Sequence, residues 1–222
     1  MKHKKKNFDS QLKKYWNKFW FFVWKDDSIK GWIISIIFIF ILIKFIFFPL
    51  LSFMTGTSLP LAIVESCSMY HDKNMLSDYE EWWGDHFQKY NVFNINKEKF
   101  EDFTFSNGFN KGDILFIVGV DPKNVKIGDV IIFDANKANP LIHRVINIEI
   151  DHQTSQRIFS TIGDNNNGQL TIEKAILEKQ IIGKAVFKIA PYLGWGKLII
   201  FELSKEIDNN PNTNLEGLCE ED

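Results

Sequence analysis

Ser66, Ser68, His143 and Asp164 are the residues of this chain whose types and spacing suit acyl-transfer chemistry. A serine hydroxyl is a poor nucleophile at neutral pH. It acts only where a base takes its proton, a third group orients that base, and donors face the developing oxyanion. Ser68, in Ser66-Cys67-Ser68-Met69, reads as the nucleophile and His143, in Leu141-Ile142-His143-Arg144-Val145, as the base. Asp164, in Gly163-Asp164-Asn165-Asn166, reads as the group that orients the imidazole and stabilises its cation. The backbone N–H of Ser68 and the hydroxyl of Ser66, two positions upstream on the same side of an extended segment, read as the oxyanion donors. Glu173 is an alternative acid that a loop could bring to His143, and a dyad without an acid is also open. His71 is a rival base, but near neighbours in an extended or turning segment seldom present both side chains to one substrate. Cys67 is a rival nucleophile whose side chain should point away from Ser68. His3, His86 and His152 have no ligand spacing with cysteines or carboxylates, so no metal and no cofactor are expected.

These residues follow a membrane-length apolar run. Gly31 to Leu51 reads GWIISIIFIFILIKFIFFPLL, with Lys44 as its only charge, and about 20 mostly apolar residues cross a hydrocarbon core. The run has no polar face, which argues against a buried core helix. It begins too far into the chain for a cleaved signal peptide, so it reads as a permanent anchor. Lys44 is expected to snorkel toward the far interface, and Pro49 to mark the helix end. Lysines 2, 4, 5, 6, 13, 14, 18, 25 and 30 precede the run, against Asp9, Asp26 and Asp27. That excess puts the N-terminus in the cytoplasm and the rest of the chain on the outer face of a cell membrane. Tyr15, Trp16, Phe19, Trp20, Phe21, Phe22 and Trp24 crowd into the same basic segment, as expected of a helix in the headgroup region whose lysines face anionic lipid. The formal net charge of −2 agrees with a lipid role rather than a nucleic-acid one.

The division that follows is residues 1–30 as a basic, aromatic cytoplasmic or interfacial segment and 31–53 as a transmembrane anchor. Residues 54–203 form a catalytic domain, and 204–222 a disordered acidic tail. Two cysteines, Cys67 and Cys219, do not make a disulfide framework. β-branched runs at Ile114–Val120, Val130–Asp134, Ile142–Ile150, Arg157–Ile162 and Ile181–Ile189, separated by turn residues, predict a mainly β domain. Residues of about 72–110 have a different character, with Leu76, Tyr79, Trp82, Trp83, Phe87 and Tyr90 near helical spacing, and predict a helical insertion. A second short helix is expected to start at Asn96 as N-cap and to bury Phe100 and Phe103. Pro191 to Phe201 is apolar but too short to span, and is expected along the membrane surface.

In this order the blocks resemble signal peptidase I of the archaeal and endoplasmic-reticulum type. They are Ser66-Cys67-Ser68-Met69, Gly112-Asp113-Ile114-Leu115-Phe116 (echoed by Gly128-Asp129-Val130-Ile131-Ile132-Phe133), His143-Arg144-Val145 and Gly163-Asp164-Asn165-Asn166. Histidine in the third block resembles that branch rather than the bacterial Ser/Lys branch. The resemblance, over roughly residues 31–192, implies an all-β serine endopeptidase on a membrane anchor. Such an enzyme removes N-terminal signal peptides from exported preproteins, cutting after small residues. It implies preproteins as partners; the basic aromatic segment adds membrane lipid rather than nucleic acid, and the 72–110 insertion could cover the cleft or contact the Sec translocon. The alternative is a membrane-tethered, non-catalytic binding protein of the same fold. This chain departs from the pattern at Tyr70-His71, where many relatives have an acidic residue and proline. It departs again at Leu170, where many eukaryotic members carry an aspartate often taken as the triad acid. The third departure is the 72–110 insertion.

Overall fold

The computed structural model describes residues 2–71, 79–137 and 139–190. The chain divides into two units, residues 1–54 and 55–222.

The first unit is helical. Helix α1 (Lys2–Trp24) is followed by a turn in which the Ser28 side chain caps α2 (Ile29–Leu42) by accepting from the Gly31 N–H. Gly31 is required there, because a Cβ would lie 2.3 Å from the Asp26 carbonyl oxygen. Ser35 donates to the carbonyls of Val23 (2.7 Å) and Gly31 (2.9 Å), and Phe19 meets Phe38 edge-on. Ile43–Phe47 is one stretch of π-helix, and α3 (Phe48–Thr55) continues the rod. Pro49 therefore does not end the helix, as the sequence had suggested. It lies inside the continuous rod, directly after the π-helical stretch, whose wider turn accommodates a residue without an N–H. The apolar rod, Ile29–Thr55, has 27 residues and is long and apolar enough to cross a membrane.

The second unit is mainly β. Its strands are β1 (Leu61–Ile63), β2 (Ile114–Val118), β3 (Val130–Phe133), β4 (Leu141–Ile150), β5 (Arg157–Ile162), β6 (Ile176–Leu177) and β7 (Ile181–Ala190). They form one seven-stranded antiparallel sheet in the order β1-β2-β7-β3-β4-β5-β6. β3 is buried on both faces: Val130 and Ile132 join one core with Met69, Leu115 and Ile117, while Ile131 and Phe133 join another with Val145 and Phe159. A strand sandwiched in this way needs the continuous apolar run that VIIF supplies.

The two Gly-Asp blocks fold alike. Gly112 and Gly128 take positive φ (87° and 93°), and each following aspartate accepts from the backbone N–H three residues earlier, Asp113 from Asn110 and Asp129 from Lys126. Each aspartate also pairs with a β7 lysine, Lys188 with Asp113 and Lys184 with Asp129. The repeated block is thus a turn that launches a strand.

The insertion is helical. Helix α4 (Tyr79–Asn91) and the short α5 (Lys97–Glu101) enclose a third core of Trp82, Tyr90, Ile95 and Phe100 against Ile146 and Ile162 of the sheet. Asn96 caps α5 by accepting from the Lys99 N–H, and Phe100 is fully buried while Phe103 is half-buried. Leu76, the surface-lying stretch expected from Pro191 and the disordered tail of 204–222 all fall outside the described residues.

Candidate active site

The site grows from β4. Its alternation sends His143 and Val145 to one face, and Arg144 and Ile146 to the other. Val145 lies in the core of the sheet, whereas Ile146 lies in the core under the insertion. His143 and Arg144 are adjacent in sequence but serve different neighbourhoods.

On the first face, His143 Nε2 lies 2.8 Å from Ser68 Oγ. Its Nδ1 is hydrogen-bonded to Glu173 Oε1. His143 and Glu173 are buried, and Ser68 is half-buried. A carboxylate only accepts, so Nδ1 carries the proton and donates, leaving the Nε2 lone pair toward the serine hydroxyl. Glu173 closes a short 3-10 turn, Thr171–Glu173, and its side chain folds back to accept from the Leu170 N–H at 2.6 Å. Thr161 on β5 donates to Oε1 at 3.3 Å, so both carboxylate oxygens are held. Ser66 Oγ lies 3.1 Å from Ser68 Oγ. The segment between them is a bend followed by a turn, with the Tyr70 N–H donating to the Cys67 carbonyl at 3.0 Å, rather than the extended stretch the sequence suggested. Cys67 is disulfide-bonded.

On the second face, Arg144 is fully buried and binds Asp164 twice, Nε to Oδ1 at 2.9 Å and Nη2 to Oδ2 at 2.6 Å. Its remaining donors reach the carbonyls of Thr104, Gly128 and Phe105. Tyr90 donates to Asp164 Oδ1 at 2.8 Å, and His71 Nε2 lies 2.9 Å from Oδ2. Burial opposes ionisation of Asp164, but the Arg144 guanidinium and the His71 bond overcome it and hold the carboxyl well below the usual range. Burial pushes His71 down despite that bond, so its imidazole is neutral and donates to the carboxylate.

Asp164, chosen from sequence to orient the base, therefore sits with Arg144 on the opposite face of β4, and the carboxylate at His143 is that of Glu173. His71, the rival base, belongs to the Asp164 cluster as well. Among the described residues no group of three or more His, Cys, Asp or Glu side chains is arranged to hold a metal ion.

Backbone contacts fix the turn that carries Ser68 between two loops. The Ser68 carbonyl accepts from the Asn165 N–H (2.8 Å) and the Met69 carbonyl from the Phe109 N–H (3.0 Å). A Cβ at Gly163 would lie 2.7 Å from the Ser68 carbonyl oxygen, and one at Gly108 only 2.4 Å from that of Met69. Glycine is what allows both loops to approach. Met69 anchors the turn by burying its side chain in the core.

No family model matches the chain. Curated relatives do. The chain is 36% identical over 101 residues to the signal peptidase complex catalytic subunit SEC11 of Lachancea thermotolerans, covering 42% of this chain and 59% of that protein. It is 34% identical over 101 residues to the same subunit of Zygosaccharomyces rouxii, with the same coverage. It is 28% identical over 107 residues to the catalytic subunit SEC11C of Canis lupus familiaris, covering 44% and 53%. The chain thus spans a little over half the length of the curated relatives it matches. Over the matched part, about two fifths of its length, the chain is similar to signal peptidase complex catalytic subunits.

Proposed function

We propose that this chain is a membrane-anchored serine endopeptidase that removes N-terminal signal peptides from exported preproteins, cutting after small residues. The observation that carries the proposal is the line of contacts from Ser68 Oγ through the His143 imidazole to Glu173. Ser68 Oγ attacks the scissile carbonyl carbon while its proton passes to His143 Nε2. The resulting imidazolium is stabilised through Nδ1 by Glu173, and the oxyanion by the Ser68 N–H and the Ser66 hydroxyl. Collapse of the intermediate breaks the C–N bond, and the new amine takes the proton from Nε2. Water, deprotonated by the same nitrogen, then hydrolyses the ester on Ser68.

Asp164 has a different task in this account. Its ion pair with Arg144 stabilises the loop on which the nucleophile turn rests. The apolar rod Ile29–Thr55 is the anchor, with the basic segment before it in the cytoplasm and the catalytic residues on the outer face. Confining enzyme and substrate to one membrane raises their effective concentration. The names of the relatives specify a complex, so other subunits are proposed partners besides the preproteins; the apolar rod and the basic aromatic segment before it support membrane lipid as a further one, and the Sec translocon is proposed with them.

Two expectations test the reading. With precursors that differ at the residue before the cut, cleavage mapped by mass spectrometry should occur after small residues and fall sharply for bulky ones. Cleavage without regard to that residue would support processing of another precursor class, and no cleavage of any precursor would support a non-catalytic binding protein. Gly163→Ala should lower kcat at least tenfold while the far-UV circular dichroism stays unchanged. The added Cβ displaces the Ser68 carbonyl, and sub-ångström to ångström misplacement of a reacting group costs up to about 10²-fold. A Gly163→Ala enzyme with wild-type kcat would refute this view of the turn.

A further inference from the structure

Helix α4 belongs to the insertion, yet three of its side chains reach the residues that hold the nucleophile. Tyr90 is fully buried and spends its hydroxyl on Asp164 Oδ1. Lys89, the preceding residue, is half-buried and donates to two backbone carbonyls of the same loop, those of Asp164 and Asn166. Trp82, two turns earlier, stacks on His71 with ring centroids 3.7 Å apart. The helix thus holds the 163–167 loop by side chain and by main chain, and it meets the nucleophile turn at His71.

That loop in turn holds Ser68. The Asn165 N–H donates to the Ser68 carbonyl, the Asp164 N–H lies 3.4 Å from Met69 Sδ, and Asp164 Oδ2 receives His71. The four residues from Ser68 to His71 are therefore tied to α4 at their first residue through the loop and at their last through Asp164 and Trp82. Burying an ammonium to serve two carbonyls is unfavourable by itself. Burial lowers the Lys89 ammonium to about 8, against the attraction of Asp164. A surface helix docked only for stability has no need of that arrangement.

Building on the serine peptidase reading, we propose that Tyr90 and Lys89 are positioning residues: α4 sets the 163–167 loop, and through it the Ser68 hydroxyl opposite His143. Neither side chain touches substrate. Both act through the Asn165 to Ser68 contact. The insertion is then part of how this chain builds its active site, not only a cover on the sheet.

The test uses the full-length protein in lipid nanodiscs, with Tyr90→Phe, which removes one hydroxyl from an otherwise unchanged ring cluster, and Lys89→Met, which keeps the stem. Hydrogen exchange is read peptide by peptide, together with kcat and KM on a signal-bearing preprotein. Both variants should speed exchange in the peptides covering Ser68 to His71 and 163–167 and leave β3 and β4 protected. They should lower kcat about tenfold with KM within about twofold, and Lys89→Arg, which keeps the donors, should restore most of kcat. Unchanged exchange at the nucleophile turn overturns the proposal, as does faster exchange spread over the whole sheet, which marks a purely structural role. If no variant or wild type cuts any precursor while exchange rises at the turn alone, the positioning link stands and the peptidase reading fails.

Discussion

Glu173→Gln should lower kcat for preprotein cleavage by about 10³- to 10⁴-fold, with KM little changed and the fold intact. The size follows from the tautomer, since comparable carboxylate-to-amide changes at a triad acid cost about 10⁴. Glu173 accepts at both oxygens, from His143 Nδ1 at Oε1 and from the Leu170 N–H at Oε2. A glutamine keeps its carbonyl oxygen on the Leu170 side, because the backbone N–H there needs an acceptor, and so turns its NH₂ toward His143. The Thr161 hydroxyl, which can accept as well as donate, does not oppose that choice. Nδ1 must then accept, the ring proton moves to Nε2, and the nitrogen facing Ser68 can no longer take a proton. Steady-state kinetics on the purified, lipid-embedded variant read this directly. A Glu173→Gln enzyme within tenfold of wild type would leave the Ser68–His143 pair acting as a dyad.

Asp164→Asn should instead damage stability. It leaves the Arg144 guanidinium buried without its counter-ion, and an unpaired buried charge costs about 3–5 kcal/mol. Domains have about 5–15 kcal/mol in total. The expected result is a melting temperature lower by roughly 10 °C or more, followed by near-ultraviolet circular dichroism, where the tryptophans beside this cluster report packing. Arg144→Met combined with Asp164→Asn should recover part of the loss, because the pair is removed rather than broken. The pH dependence has a definite sign. The Asp164 carboxyl is depressed in the folded state, so its contribution is complete above the ordinary carboxyl range, near pH 4, and fades as pH falls below it. The gap between wild type and Asp164→Asn should therefore narrow on acidification. A variant as stable as wild type at neutral pH would contradict the role given to the ion pair.

The strands that carry the site were legible because their apolar runs are four to ten residues long and bounded by turn chemistry. β1 and β6, with three and two residues, lack enough length for a period to show. Ser68 and His143, the proposed nucleophile and base, stood out by residue type and motif order, and the structure brings them within hydrogen-bond distance. The acid did not, because sequence order favours Asp164 whereas the alternation of β4 pairs it with Arg144. The signal for Glu173 was weak: an acidic residue three positions after Leu170, in a turn too short to announce itself. The contacts of Tyr90 and Lys89 with the 163–167 loop were not legible, since a tyrosine and a lysine on an amphipathic helix do not declare whether their tips face solvent or a buried loop. Pro49 misled for a local reason, as a π turn lets a helix pass a proline that an ideal α-helix would not accommodate.

Full-length protein in lipid is incubated with a signal-bearing preprotein, wild type beside Ser68→Ala, and the products are identified by mass spectrometry. The prediction is a single cut at the signal junction, after a small residue, by the wild type and none above background by Ser68→Ala; the same cut at an undiminished rate by Ser68→Ala would contradict it.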